Sequence, residues 1–380
     1  MEGQELRQGG SIARYAGTRR AWFAVLGTAV GGAALAACGQ GTASPSGAPT
    51  TAAGTAGGSP QAGTVNYATL SGTVRIDGSS TVFPVSEAMA EEFQGATGGK
   101  VRVTVGISGT GGGFQKFCAG ETDISDASRP ILTAEQGRCA EAGIKWVEAP
   151  VAFDGLSVVV SPRNTFVTSM TVSELKMMWQ PEAQGTITRW NQIRPEWPDR
   201  PFRLYGAGSD SGTFDYWTDA INGKEKASRG DYTASEDDNV LVQGVSSDPD
   251  ALGYFGYAYY VENKDRLKLV AIDGEKGEGP VLPSPETIQN GKYVPLSRPI
   301  FVYPKLEALN RPEVLGFMQF YLDPRNSQLI NDTGYVAFPE DAYRQIWDRV
   351  QNKRTGSVFS GTSTLGVTLQ DLLKSPPPLT

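Results

Sequence analysis

An α/β architecture with mostly parallel strands is the fold class this sequence predicts, on three observations. Strand-like and helix-like segments alternate along the body of the chain. At three places the alternation takes one form: a short strand, a loop rich in Gly, Ser and Thr, then an amphipathic helix. A chain of 380 residues also leaves room for two lobes of ordinary size once its ends are set aside.

The ends come first. Arg7, Arg14, Arg19 and Arg20 precede an apolar stretch from Ala21 to Ala37, rich in Ala and Gly. This is the pattern of an export signal, and it is short against the roughly 20 residues that span a bilayer. The stretch closes on Leu35-Ala36-Ala37-Cys38, which resembles a bacterial lipobox. That reading makes residues 1–37 a lipoprotein signal peptide and Cys38 the acylated anchor to the outer face of the cytoplasmic membrane. Arg19-Arg20 ahead of Ala21-Trp22-Phe23 also resembles a twin-arginine signal without its full consensus, so the export route stays open. From Gly39 to Val74 there is no charged residue, and Gly, Ala, Thr, Ser and Pro dominate. Residues 38–70 are therefore expected to be a tether, with a root-mean-square reach of roughly 30 to 36 Å.

In the body, Val74 and Ile76 flank Arg75, and Val101, Val103, Val105 and Ile107 alternate with Arg102, Thr104 and Gly106, the period of half-buried strands. Thr133 to Gln136 and Thr171 to Glu174 both match a capping box that opens a helix. The run Tyr254 to Tyr260 reads as a buried strand rather than a stacking platform. Residues 353–380, punctuated by Gly, Ser and Pro, are expected to form a loosely packed tail.

Composition closes several function classes. Lys plus Arg total 34 against 41 Asp plus Glu, a net charge of -7, with no basic run interleaved with aromatics, so nucleic acid is excluded as a partner. The chain has no histidine, which removes Ser-His-Asp and Cys-His catalysis and every His-containing zinc site. Three cysteines less an acylated Cys38 leave Cys118 and Cys139. In an oxidising compartment they are expected to close a disulfide loop worth about 3 kcal/mol, the alternative being two buried free thiols.

The three repeated loops carry the chemistry. They are Gly78-Ser79-Ser80-Thr81 before a helix with Pro84 in its first turn, Ser108-Gly109-Thr110-Gly111-Gly112-Gly113 before Phe114, and Gly208-Ser209-Asp210-Ser211-Gly212-Thr213 before Phe214. Each places backbone N–H groups and hydroxyls at the positive end of a helix dipole, which suits an anion. Any one of them alone is also an ordinary helix cap. GxGxxG, the Walker P-loop and the GxSxG elbow are absent. Arg129, after a short strand at Asp123 to Ser125, is the cation placed to reach an anion from the first lobe, or else a surface arginine ahead of Pro130.

Five segments together resemble one family: Gly78-Ser79-Ser80-Thr81-Val82-Phe83-Pro84, Ser108-Gly109-Thr110-Gly111-Gly112, Asp123 to Ile131, Ser209-Asp210-Ser211-Gly212-Thr213-Phe214 and Leu252-Gly253-Tyr254-Phe255-Gly256-Tyr257. They look like the phosphate-binding receptors of bacterial phosphate ABC transporters, over about Gly72 to Val350. The resemblance implies a type II periplasmic-binding-protein fold, with lobe I at 71–160 plus 268–352 and lobe II at 161–267. It also implies inorganic phosphate in the cleft, a permease as partner, a monomer, and neither cofactor, metal nor catalytic residue. Carried over, it assigns backbone N–H groups near Val82 and Phe83, hydroxyls of Ser80, Thr81, Ser108, Ser209, Ser211 and Thr213, the Gly212 helix start and Asp210.

Two departures stand out. Ser128 occupies the place of the family's aspartate, and Ala207 that of its arginine, for which Arg129 is the expected substitute. A carboxylate that accepts the proton of phosphate distinguishes it from sulfate, and Asp77, Asp126, Asp154 and Asp210 are the candidates. The competing readings are a receptor for sulfate, molybdate or another tetrahedral oxyanion, an exported phosphatase using Ser108 or Ser211, and a binding fold turned adhesin or sensor.

Overall fold

The computed structural model describes residues 66–209, 211–359 and 366–377. The alternating segments form the predicted strands: β1 (Gly72–Gly78) buries Val74 and Ile76, and β2 (Val101–Ile107) buries Val101 and Val103. Then follow β3 (Ile124–Ala127), β4 (Ala149–Val160), β5 (Ser169–Thr171), β6 (Arg203–Ala207), β7 (Thr233–Ser235), β8 (Ala251–Gly256), β9 (Lys268–Leu269), β10 (Ala271–Asp273), β11 (Pro280–Val281) and β12 (Ser297–Pro304). The main sheet runs β2-β1-β3-β12-β4-β8-β6-β7, with β9 beside β4, and β11-β10-β5 form a second sheet. Pairing is parallel for β1 with β2 and β3, and for β6 with β7 and β8. It turns antiparallel around β4 and β12. The α/β class with strands crossing between two halves is borne out.

β4 is the element that makes two lobes. Its residues Ala149 to Gly155 pair with β12, and Leu156 to Val160 pair with β8, so one fully buried strand leaves one lobe and enters the other between Gly155 and Leu156. The chain returns at Leu296, whose carbonyl accepts the Leu156 N–H at 2.9 Å, one residue before β12. The expected return near Leu267 is therefore displaced: β9 pairs with Val159 and Val160, and β10 pairs with β5, which keeps residues 268–281 in the second lobe. These strands have two or three residues, too few for an alternation to show in sequence.

Helices follow the caps. α1 (Phe83–Ala96) carries Pro84 in its first turn and buries Val85, Met89 and Phe93, and α2 (Gly109–Cys118) buries Phe114 and Phe117. In α3 (Thr133–Glu141) the cap lies one residue earlier than expected, the Leu132 N–H donating to the Glu135 carboxylate at 2.8 Å. In α4 (Val172–Trp179) the Thr171–Glu174 box forms as predicted, at 3.1 and 2.8 Å. α5 (Gly212–Trp217) runs on through a π turn, Thr218–Asn222, and stops at left-handed Gly223, φ 79°. The aromatic run divides: Tyr254 and Phe255 are in buried β8, but Tyr257 opens a helix, and Tyr254 stacks on Trp217 with ring centroids 4.0 Å apart.

Both edges of the body differ from expectation. The Tyr67 ring packs on Phe93 and Phe320, and Leu70 is buried, so apolar contacts bring the chain into the fold before residue 71. The described part of the tail is packed rather than loose. The Arg349 guanidinium donates to the carbonyls of Leu372 and Lys374, Leu372 is buried, and the Phe359 ring meets Phe301.

Cys118 and Cys139 are bonded, with Cα atoms 4.5 Å apart, joining the end of α2 to α3. Loop closure over 21 residues is worth about 3 kcal/mol, so reduction, or paired Cys118→Ser and Cys139→Ser, is expected to lower the urea midpoint accordingly. An unmoved midpoint would count against that contribution.

Candidate anion-binding cleft

Parallel strands followed by helices put their loops at the carboxyl ends of the strands. β1 lies between β2 and β3, so the chain turns to one side through α1 and to the other through α2, the switch point where such sheets bind ligands. Loops 1 (Gly78 to Thr81) and 2 (Ser108 to Gly113) are packed together there, loop 3 being Gly208 to Thr213. The Ser108 N–H donates to the Gly78 carbonyl at 3.0 Å, and a Cβ at Gly113 would come within 2.5 Å of Gly78 Cα, so only glycine permits this approach. From the second lobe, the start of α5 reaches loop 1. A Cβ at Gly212 would lie 2.5 Å from the Thr81 nitrogen, and the Thr81 hydroxyl donates to the Gly212 carbonyl at 3.3 Å. All three glycine-rich loops thus share one region, with the two lobes in contact.

Several expected donors are already engaged. The N–H groups of Val82 and Phe83 both donate to the Ser79 carbonyl, at 3.2 and 3.0 Å, and that of Thr81 to Ser79 Oγ at 3.2 Å. A tight turn that enters a helix pairs its own amides, which the motif alone does not reveal. Ser80 is half-buried beside them. Ser108 is exposed, and its hydroxyl donates to Asp77, which also takes the Lys116 ammonium at 2.7 Å. Ser128 is buried and bonded to Thr110, its Oγ at 3.1 Å and its N–H at 3.2 Å from Thr110 Oγ1. In loop 3, Ser211 Oγ accepts the Thr213 N–H at 3.1 Å, capping α5, and Ser209 is exposed. Asp210 and Cys38 lie outside the described residues.

Arg129 is not free to act as the cleft cation. Its guanidinium makes a two-toothed pair with Glu135, at 2.8 and 2.9 Å, and donates to the Pro130 carbonyl at 3.1 Å. Glu135 is buried and needs that charge, and the pairing is set by the turn into α3.

The cation that meets loop 1 is Arg298 of β12. Its Nη2 donates to Thr81 Oγ1 at 3.1 Å, its Nε lies 3.3 Å from Asp154 Oδ2, and its guanidinium carbon sits 3.7 Å from the centre of the Tyr216 ring. The two side chains are 12% and 5% exposed. Arg298 and Asp154 are in register across the β12–β4 pair, beside the crossover at Gly155. Tyr216 anchors the ring by donating to the Pro295 carbonyl at 2.7 Å, and the Tyr335 hydroxyl donates to the Thr81 carbonyl. Burial pushes the Asp154 carboxyl above its ordinary range while Arg298 pulls it back. Glu225 is raised by burial and then by Asp215 and Asp219, and pulled back by Arg298 and Arg129. Asp154 was among the sequence candidates; Arg298 was not, since Leu296-Ser297-Arg298-Pro299 carries no loop motif.

Asp126 points away from this group. Fully buried, it accepts from the Ser86 hydroxyl at 3.0 Å, its other oxygen has no partner among the described residues, and burial, with Asp77 adding to it, raises its pKa to about 7. A carboxyl that holds its proton more tightly folded than unfolded stabilises the fold at low pH and loses that contribution as pH rises from about 4 to about 7. The stability of Asp126→Asn relative to the native chain is expected to rise across that window by up to about 4 kcal/mol. Urea unfolding at pH 4.5 and 8 measures it, and a difference that stays constant would refute the buried-acid account.

A two-lobed α/β body with glycine-rich loops facing an arginine beside the crossover is the architecture of a solute-binding protein. A family model for a PBP superfamily domain matches residues 52–325. Protein SphX of Synechocystis sp. is 48% identical over 303 residues, 80% of this chain and 89% of the relative. The phosphate-binding protein PstS of Staphylococcus epidermidis is 38% identical over 287 residues, 74% of this chain and 84% of the relative. The crystal structure of a possible phosphate binding protein from Planctomyces limnophilus superposes with a TM-score of 0.70 at 49% identity, covering 74% of this chain and 99% of that one. The chain belongs to the PBP superfamily and, within it, to the substrate-binding proteins of ABC transporters that include the PstS phosphate-binding proteins. The resemblance read from the five segments is borne out.

Proposed function

We propose that this chain captures inorganic phosphate between its lobes and presents it to the permease of an ABC importer. The observation that carries the reading is the meeting of Thr81, Gly212 and Arg298: a hydroxyl of one lobe, a helix start of the other and a buried guanidinium on β12 beside the crossover. An anion entering an open cleft exchanges its water for the hydroxyls of Ser80, Thr81, Ser211 and Thr213 and for the charge of Arg298, and closure brings both lobes onto it. Arg298 takes the part of the arginine that Ala207 lacks, and Arg129, held by Glu135, contributes only at longer range. Nothing is transformed; the ligand is held and released.

Of the candidate acids, Asp77 is occupied by Ser108 and Lys116, and Asp126 faces Ser86 behind loop 1. Asp154, beside Arg298, is the carboxylate assigned to the phosphate proton. Calorimetric titration with phosphate and sulfate tests this: Asp154→Asn is expected to narrow the preference for phosphate by at least tenfold, about 1.4 kcal/mol. An unchanged ratio would move the role to another acid. Protein purified without added phosphate is expected to carry it in stoichiometric amount, and absence of both co-purified and added phosphate would sink the reading.

The lipobox makes Cys38 the attachment point to the outer face of the membrane, with residues 39–65 as the spacer. Labelled palmitate incorporated by the native chain and lost in Cys38→Ser checks this. Among the described residues no helix is long and apolar enough to cross a membrane.

A further inference from the structure

At the opposite end of β12 from Arg298, seven residues and about 23 Å along the strand, lies a second basic site. Two adjoining cavities of about 300 and 450 Å³ share Lys305, Glu307 and Asn310. Lys145 and Lys353 line the first, and Arg75, Arg311 and Asp123 line the second. Lys305 is the cation common to both. The residue is only 7% exposed, and its ammonium lies 5.9 Å from the centre of the Phe117 ring, with no hydrogen-bond or ion-pair partner among the described residues. Burial pushes its pKa below the ordinary lysine value, and Asp123 pulls it back. The stem is packed against the protein while the ammonium opens into the cavities without a protein acceptor, leaving its charge available to an anion there.

The neighbouring charges do not supply that acceptor. Asp123 is taken by the Arg75 N–H at 2.9 Å, by the Arg75 guanidinium at 3.6 Å and by Arg311 at 2.8 Å, and Glu307 is exposed. Lys353 donates to Asn310 Oδ1. Five cations against two carboxylates line the two cavities, in a chain whose net charge is -7. Both guanidiniums are engaged by Asp123, and Arg311 also by Glu313 at 3.7 Å, so the least committed charge belongs to ammonium groups. Those act as point charges with rotatable donors, several of which can converge on the oxygens of a phosphoryl group. The volume exceeds that of bare phosphate and leaves room for an organic substituent.

We propose that the Lys305 cavity binds the phosphoryl group of an organic phosphate ester, either a small soluble ester or a lipid headgroup, independently of the interlobe cleft. The test is competitive acetylation of the purified protein with each lysine read by mass spectrometry, so that the cleft does not enter the signal. sn-Glycerol 3-phosphate is compared with acetate at equal ionic strength, and phosphatidylglycerol vesicles with phosphatidylcholine vesicles. Lys268, whose ammonium donates to the Asn164 carbonyl, is the internal control. Labelling of Lys305 is expected to slow at least fivefold with the phosphate ester and not with acetate, Lys268 staying constant. Protection by the soluble ester alone assigns a free ligand, and protection by phosphatidylglycerol vesicles assigns a headgroup. Lys145→Ala, on the exposed rim, is expected to weaken protection of Lys305 without disturbing the fold. Protection by neither phosphate source, or equal protection by acetate, overturns the site.

Discussion

Gly212→Val is expected to lower phosphate affinity at least 100-fold, about 2.7 kcal/mol, while leaving the ligand-free protein as stable as the native chain. A Cβ at this position would sit 2.5 Å from the Thr81 nitrogen and 2.6 Å from its Cα, backbone atoms that cannot swing aside. The contact exists only where the lobes meet, so an open form accommodates the new side chain and the closed form does not. Binding that requires closure must then pay for separating the two loops. Small-angle scattering with and without phosphate reads the closure, and calorimetry reads the affinity. A variant that binds as tightly as the native chain and contracts in the same way would show that the Thr81–Gly212 contact plays no part in capture.

Arg298→Met is expected to act twice. It removes the guanidinium that donates to Thr81, with a loss of phosphate affinity of at least 100-fold, and it leaves Asp154 buried without its partner. Breaking a buried ion pair by removing one member costs about 3 to 5 kcal/mol, whereas replacing both by apolar groups of similar volume is often neutral. Arg298→Met combined with Asp154→Leu is therefore expected to recover the urea midpoint without recovering phosphate binding. That separation distinguishes a charge that holds the ligand from one that only holds the crossover together. If the double variant bound phosphate like the native chain, Arg298 would have no role in the cleft and the charge would have to come from Arg129.

The parts of this molecule that could be read from residues alone are those whose causes lie close together in the chain. Val101 to Ile107 alternates because one face of β2 is buried, Thr171 and Glu174 cap α4 from within a single turn, and Gly223 ends the helical run because it adopts a left-handed conformation. The three loops were visible for the same reason, each being a strand end and a helix start within a few residues. Their internal hydrogen bonds were not visible, since whether the Val82 N–H faces an anion or the Ser79 carbonyl depends on how the turn is wound. Arg129 shows the limit at six residues: Glu135 lies close enough in sequence to be noticed, yet only the turn into α3 brings the two together.

Sequence by itself determined the α/β alternation and the order of the glycine-rich loops, because periodicity, capping and turn chemistry act over a few residues, and the resemblance of five such segments pointed to the family. Only the tertiary structure decided that residues 268–281 belong to the second lobe, that Thr81 meets Gly212, and that Arg298 faces Asp154 from 144 positions away. Those contacts are set by which surfaces exclude water together, a property of the folded chain as a whole that no local window of residues contains.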